Sequence, residues 1–141
     1  MDELTNFDEN NWEYDKHLDY QDSEIGSYRG RRFRQADAGG YFSYQFQTGK
    51  AHGAVTLILT LNQADDGKKI WIRFNDDQQT ERSIILDAST ASQIDGQEFY
   101  EWKMTIPAAL LTGQQKLRVT FSADSQDSAR VFGIRLMNEE Q

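Results

Sequence analysis

Two histidines, His17 and His52, are the only side chains of this 141-residue chain that titrate near neutral pH, and there is no cysteine. A hydrolytic triad needs a Ser, Thr or Cys nucleophile beside a base. His17 follows an acidic stretch, and His52 sits in a glycine-flanked turn, Lys50-Ala51-His52-Gly53-Ala54. Neither lies in a nucleophile motif, and no nucleophile elbow is present. Without cysteine, thiolate metal sites and disulfides are excluded. Paired carboxylates can hydrolyse glycosides, but with 23 acidic residues some pair always lies close, so pairing alone carries no signal. Asp65-Asp66 and Asp76-Asp77 read as turn chemistry, and Asp65-Asp66-Gly67 lacks the spacing of a calcium-binding EF-hand. Gly39-Gly40 precedes a strand, whereas a phosphate loop precedes a helix. The chain reads as non-catalytic.

Binding chemistry is better represented. Trp71 falls on the polar side of a strand beside Lys69 and Arg73, and Phe99 falls opposite Tyr100 and Trp102. A flat aromatic ring next to a few polar groups suits stacking on a sugar or anchoring a protein partner. Trp71, Arg73 and Phe99 are therefore the candidate carbohydrate contacts. The competing reading is that Trp71 packs under a loop or on a neighbouring domain. Phe42, Tyr44, Tyr100 and Trp102 are assigned to the core.

The elements that must position these residues are strands. From about residue 40 apolar and polar residues alternate in YFSYQFQ, VTLILTLN, KIWIRF, YEWKMTI, KLRVTF and VFGIRL. Period-two alternation means strands with one face buried and one wet. Arg31–Arg34 and residues 81–87 supply further strands. Asp66-Gly67 reads as a two-residue hairpin turn. Asn75-Asp76-Asp77 is a second polar turn, and Asp95-Gly96 opens the strand that holds Trp102. Pro107 ends that strand and starts a short turn closed by Gly113. Seven or eight short strands without a long amphipathic helix predict an all-β fold, an antiparallel β-sandwich of jelly-roll or galactose-binding-like type.

Residues 1–24 hold nine acids against Lys16 alone, which accounts for the whole net charge of -8. Residues 1–16 therefore read as an acidic leader or linker, partly disordered, ahead of a β-sandwich domain over 17–141. Charge of this sign argues against nucleic acid as a partner. No apolar run is long enough to span a membrane, and the acidic start lacks the features of a signal peptide.

Two stretches together carry a family resemblance. The first, HLDYQDSEIGSYRGRRFRQADAGGYFSY, contains His17, Ser23, Glu24, Gly26, Arg32, Phe33, Arg34, Ala36, Gly39, Gly40, Tyr41, Phe42, Ser43 and Tyr44. The second, FYEWKMTIPAALLTGQQKLRVTF with VFGIRLM, contains Phe99, Ile106, Pro107, Val119, Phe121, Phe132 and Gly133. Over residues 17–137 the chain resembles the C-terminal β-sandwich of β-L-arabinofuranosidase-type glycoside hydrolases, family 127 and relatives. In that family catalysis belongs to a separate helical barrel that uses cysteines and carboxylates, so no catalytic residue carries over. The resemblance implies a non-catalytic accessory domain packed against the catalytic domain of a parent glycoside hydrolase. The alternative is a module that binds plant-type polysaccharide. It also implies an extracellular or periplasmic setting. Jelly-roll carbohydrate-binding domains often hold a structural calcium between an early-strand Glu and a late-strand carboxylate, which makes Glu24 the candidate ligand. The competing reading is a surface acid paired within the Arg31, Arg32 and Arg34 cluster. No other cofactor is expected. Arg32 and Arg34 share a strand face and are expected to pair with Glu24 or Asp37.

Overall fold

The computed structural model describes residues 2–49, 54–90, 92–93, 98–111 and 116–138. Their strands are β1 (Glu3–Leu4), β2 (Asp19–Tyr28), β3 (Arg31–Gln47), β4 (Val55–Asn62), β5 (Lys69–Phe74), β6 (Asp77–Ile85), β7 (Ser92–Gln93), β8 (Phe99–Ile106), β9 (Lys116–Ser122) and β10 (Gly133–Asn138), with one helical turn, α1 (Trp12–Asp15). Two five-stranded sheets result, ordered β1-β10-β4-β8-β7 and β2-β3-β9-β5-β6. Every pairing between these strands is antiparallel. The expected all-β sandwich of two antiparallel sheets is what the chain forms.

Alternation is the cause. In β5 the buried positions are Ile70, Ile72 and Phe74, while Lys69, Trp71 and Arg73 are half-buried on the other side. Leu57, Leu59 and Leu61 of β4 meet Phe42, Tyr44 and Phe46 of β3 and Leu117, Val119 and Phe121 of β9 in one core. Phe42 stacks on Phe121 with centroids 5.2 Å apart. Tyr44 meets Phe42 and Phe46 edge-on at 5.9 and 6.1 Å, the offset geometries that aromatic quadrupoles favour. Trp102, expected in the core, packs against its margin and is half-buried.

Turn chemistry places the connections. Asn75 and Asp76 adopt φ of 53° and 56°, the left-handed pair that joins β5 to β6 as a tight hairpin. Asp66-Gly67 behaves differently from its hairpin expectation. It follows a 3₁₀ turn, Gln63–Asp65, and carries the chain from β4 in one sheet to β5 in the other. Gly67 supplies the positive φ of 89° that this crossover needs. Pro107 opens the expected short turn, a 3₁₀ segment over Ala108–Leu110. Asp95-Gly96, Gly113 and His52 lie outside the described residues.

The acidic N-terminal segment departs most from expectation. It is part of the sandwich. β1 pairs with β10, and Leu4, Phe7 and Glu13 are buried. The Asp2 carboxylate bonds to the Lys16 ammonium and accepts from the Gln47 backbone N–H at 2.8 Å. Its anchor is Arg34, which is fully buried. The guanidinium donates to Glu13 at 2.6 and 3.1 Å, to Glu9 at 2.8 Å and to the Ser23 hydroxyl at 2.6 Å. Glu13 also accepts from the Tyr44 hydroxyl. Burial works against the charge on Arg34, but Glu13 and then Glu9 outweigh it and push its pKa above the usual arginine value. Glu9 and Glu13 are counter-ions to a core arginine, which is why a stretch so polar still packs. The expected pairing of Arg34 with Glu24 or Asp37 does not form, because α1 delivers Glu13 to it instead.

Candidate functional site

Strand register builds one broad face on the outside of the β2-β3-β9-β5-β6 sheet. Gln21 lies opposite Tyr41, Tyr41 opposite Ser122, Ser122 opposite Trp71, and Trp71 opposite Ser83. The adjoining row runs Asp19, Ser43, Thr120, Arg73. Neighbouring strands lie about 4.8 Å apart, so Tyr41 and Trp71 stand roughly 10 Å from each other. Only the small Ser122 separates them. Both rings are half-buried, as is Ser122 between them; Ser83 beyond Trp71 is exposed, and Ser43 and Thr120 of the adjoining row are buried.

Polar contacts hold this face in place. The Trp71 indole N–H donates to Asp124 at 3.3 Å, and the Lys69 ammonium lies 3.6 Å from the same carboxylate and 5.7 Å from the indole centroid. The Trp71 N–H and the Gln126 backbone N–H hold the Asp124 carboxyl below its ordinary range. The Tyr41 hydroxyl donates to Asp19 at 3.2 Å. Burial first, and then Asp19, pushes that phenol upward. Arg118 donates to the Ser43 hydroxyl at 2.8 Å and to the His17 carbonyl at 3.3 Å. Arg73 faces Glu81 at 3.6 Å, yet its Nε, like the hydroxyl of Thr120 beside it, finds no hydrogen-bond partner among the described residues. Two orphaned polar groups side by side are unusual, because a buried unpaired polar group costs about 1–3 kcal/mol.

The residues expected to form the site separate into two groups. Trp71 and Arg73 do share this face. Phe99 does not, and it cannot serve as a sugar platform. It lies in the other sheet and is buried at 4% exposure, edge-on to Phe132 at 4.9 Å, with the Arg31 guanidinium 4.8 Å from its ring centroid. Alternation correctly puts it opposite Tyr100, but the β2–β3 hairpin roofs that position. Glu24 is exposed on β2 opposite Gln35. Among the described residues no three His, Asp or Glu side chains converge on a point that could hold a metal ion. Sequence reasoning missed Tyr41, Arg118, Thr120 and Ser122. Their alternation was visible, but only the register shows that they adjoin Trp71.

Among solved structures the sandwich is similar in fold to carbohydrate-binding modules and to parts of glycoside hydrolases. A family 35 carbohydrate-binding module from Clostridium thermocellum matches with a TM-score of 0.54 at 12% identity, over 84% of this chain and 90% of that one. The C-terminal family 6 module of LamC, a marine laminarinase from Zobellia galactanivorans, matches with a TM-score of 0.55 at 11% identity, over 84% and 90%. The 4-O-methyl-α-glucuronidase BtGH115A, specific for decorated arabinogalactans, matches with a TM-score of 0.57 at 12% identity, and there the match spans 84% of this chain but only 16% of the enzyme. Identities this low establish a shared fold. No curated protein matches. One family model covers nearly the whole chain, residues 5–137, and the chain accordingly belongs to that family, the family of unknown function DUF6805.

Proposed function

We propose that this domain is a non-catalytic carbohydrate-binding module whose contact surface is the Tyr41–Ser122–Trp71 face. The observation that carries the reading is the pair of half-buried aromatic rings, Tyr41 and Trp71, set roughly 10 Å apart across Ser122 on one face. Rings of this kind stack on the apolar faces of sugars, and the Ser122 and Ser83 hydroxyls beside them can donate to or accept from sugar hydroxyls. The sandwich shared with modules of families 6 and 35 supports it. The parent protein would be a glycoside hydrolase in an extracellular or periplasmic setting, as the resemblance to family 127 implies, and the module's ligand a plant-type polysaccharide. Packing against a catalytic domain is the second reading. It draws on the BtGH115A match, in which the similar region is a small part of a large enzyme.

Isothermal titration of the domain with soluble plant polysaccharides separates the two readings. Saturable heat that weakens at least about tenfold in Trp71→Ala supports binding at this face. Absence of heat at millimolar ligand, with a cooperatively folded sample, refutes it and leaves the packing reading.

A further inference from the structure

A groove of about 510 Å³ opens around the β2 edge, lined by Glu9, Asn10, Tyr14, His17, Leu18 and Tyr20. None of these residues belongs to the Trp71 face. Tyr20 alternates with Asp19 and Gln21, so it projects to the other side of β2, where the N-terminal segment lies. Three of the large hydrophobic side chains most open to solvent fall within residues 12–20: Trp12 at 52%, Tyr14 at 72% and Tyr20 at 43%. Two of them line this groove. Single exposed rings need no explanation, but two on one concavity with polar groups between them do.

The groove is rigidly built. The Arg34 guanidinium lies 4.8 Å from the Tyr20 ring centroid and braces it from within. The same guanidinium pins one Glu9 oxygen at 2.8 Å, while the other Glu9 oxygen stands 3.5 Å from the Tyr20 hydroxyl. A carboxylate held by a fully buried arginine is a preorganised acceptor, so little ordering is lost when a hydroxyl donates to it. His17 at the rim adopts a φ of 54°, strained for a non-glycine residue. Its N–H donates to the Tyr14 carbonyl at 3.0 Å and its own carbonyl accepts from Arg118 at 3.3 Å.

Charge selects the occupant. Of the carboxylates Glu9 lines the groove, no Lys or Arg is among the lining residues, and the Arg34 guanidinium behind it is already committed to Glu9 and Glu13. A lining with a carboxylate and no cation to offer disfavours uronates and phosphates. A hydroxyl-rich uncharged ring satisfies both the acceptors and the tyrosine faces. From this geometry we infer that the Tyr14–Tyr20 groove is a second ligand site, selective for a neutral sugar residue. It extends the carbohydrate reading but rests on different side chains.

Amide chemical-shift mapping on the full chain tests it, with neutral arabino-, galacto- and gluco-oligosaccharides, glucuronic acid and tetramethylammonium as probes. A neutral probe is expected to shift the amides of residues 9–20, Asp19 set aside because it belongs to the Trp71 face, in the wild type and in Trp71→Ala. It should lose at least about tenfold in affinity in Tyr14→Ala, a change at an exposed ring that leaves the core intact. The inference is overturned if no neutral probe shifts residues 9–20, if Tyr14→Ala binds as the wild type does, or if glucuronic acid or tetramethylammonium binds there more tightly. Shifts confined to Tyr41, Trp71 and Ser122 would overturn this site while upholding the face. Shifts confined to residues 9–20 would do the reverse.

Discussion

Removing either partner of the Arg34–Glu13 pair should unfold much of the stability of this domain, whereas removing both should cost far less than the sum. Both side chains are fully shielded from solvent, and three of the donors around Glu13 come from elsewhere in the fold: two from Arg34 and one from the Tyr44 hydroxyl. Arg34→Met leaves the Glu13 carboxylate buried with only the Tyr44 hydroxyl. Glu13→Leu leaves the guanidinium buried with Glu9 and Ser23. Stranding a buried charge in this way costs about 3–5 kcal/mol, a large part of the 5–15 kcal/mol typical of a whole domain. In the double variant neither charge is stranded. What remains is the loss of partners for Tyr44, Glu9 and Ser23, at about 1–3 kcal/mol for each group that stays buried. The coupling energy should therefore reach about 3 kcal/mol. Urea denaturation followed by tryptophan fluorescence, extrapolated linearly for the wild type, both singles and the double, measures it. Additivity within about 0.5 kcal/mol would refute the claim that these residues act as one unit.

Two further outcomes follow from local geometry and from proton linkage. A Cβ at Gly40 would lie 2.2 Å from the Asp22 carbonyl oxygen and 2.6 Å from that of Gln21. These are backbone atoms at the irregularity between Gln21 and Ser23 in the β2–β3 ladder, so Gly40→Ala should destabilise by about 3 kcal/mol or more. A midpoint in urea equal to that of the wild type would show that the ladder can shift to admit it. At high pH, burial first and neighbouring carboxylates second push the Tyr44 and Tyr100 phenols above their ordinary value. In both, the folded state holds its proton more tightly than the unfolded chain does. Their contribution is complete below about pH 10 and is lost as pH rises beyond it, by up to about 1.4 kcal/mol per pH unit for each phenol. Urea midpoints measured between about pH 9 and 11 should fall in the wild type and fall less steeply in Tyr44→Phe. A flat profile would contradict the assignment.

The strands were legible because each carries its own evidence. Ile70, Ile72 and Phe74 alternate with Lys69, Trp71 and Arg73 whatever the rest of the chain does, and that alternation sufficed to set Trp71 and Arg73 on a common outward face. Phe99 obeys the same local rule and is nevertheless buried, since Phe132 and Arg31, which cover it, come from distant parts of the chain. Tyr41, Thr120 and Ser122 entered the candidate site only through register, which alternation leaves open. Arg34 marks a harder limit. Its spacing from Arg32 predicted a shared face but not that only Arg34 would be buried, because β3 runs 17 residues from an exposed hairpin into the core.

The N-terminal segment was misread for a physical reason that bears on function. Its apolar residues Leu4 and Phe7 follow no period, and Glu9 and Glu13 look like the solvated charges of a linker. They become structural only when Arg34, 21 residues beyond Glu13, supplies the countercharge. Once it does, the pairing has two consequences at once. It brings α1 onto the sandwich, and it aims a fixed Glu9 carboxylate at a groove walled by Tyr14 and Tyr20. The stability of the segment and the geometry of the groove thus share one cause. Substitutions that break the Arg34 network should degrade both, whereas Tyr14→Ala should touch the groove alone.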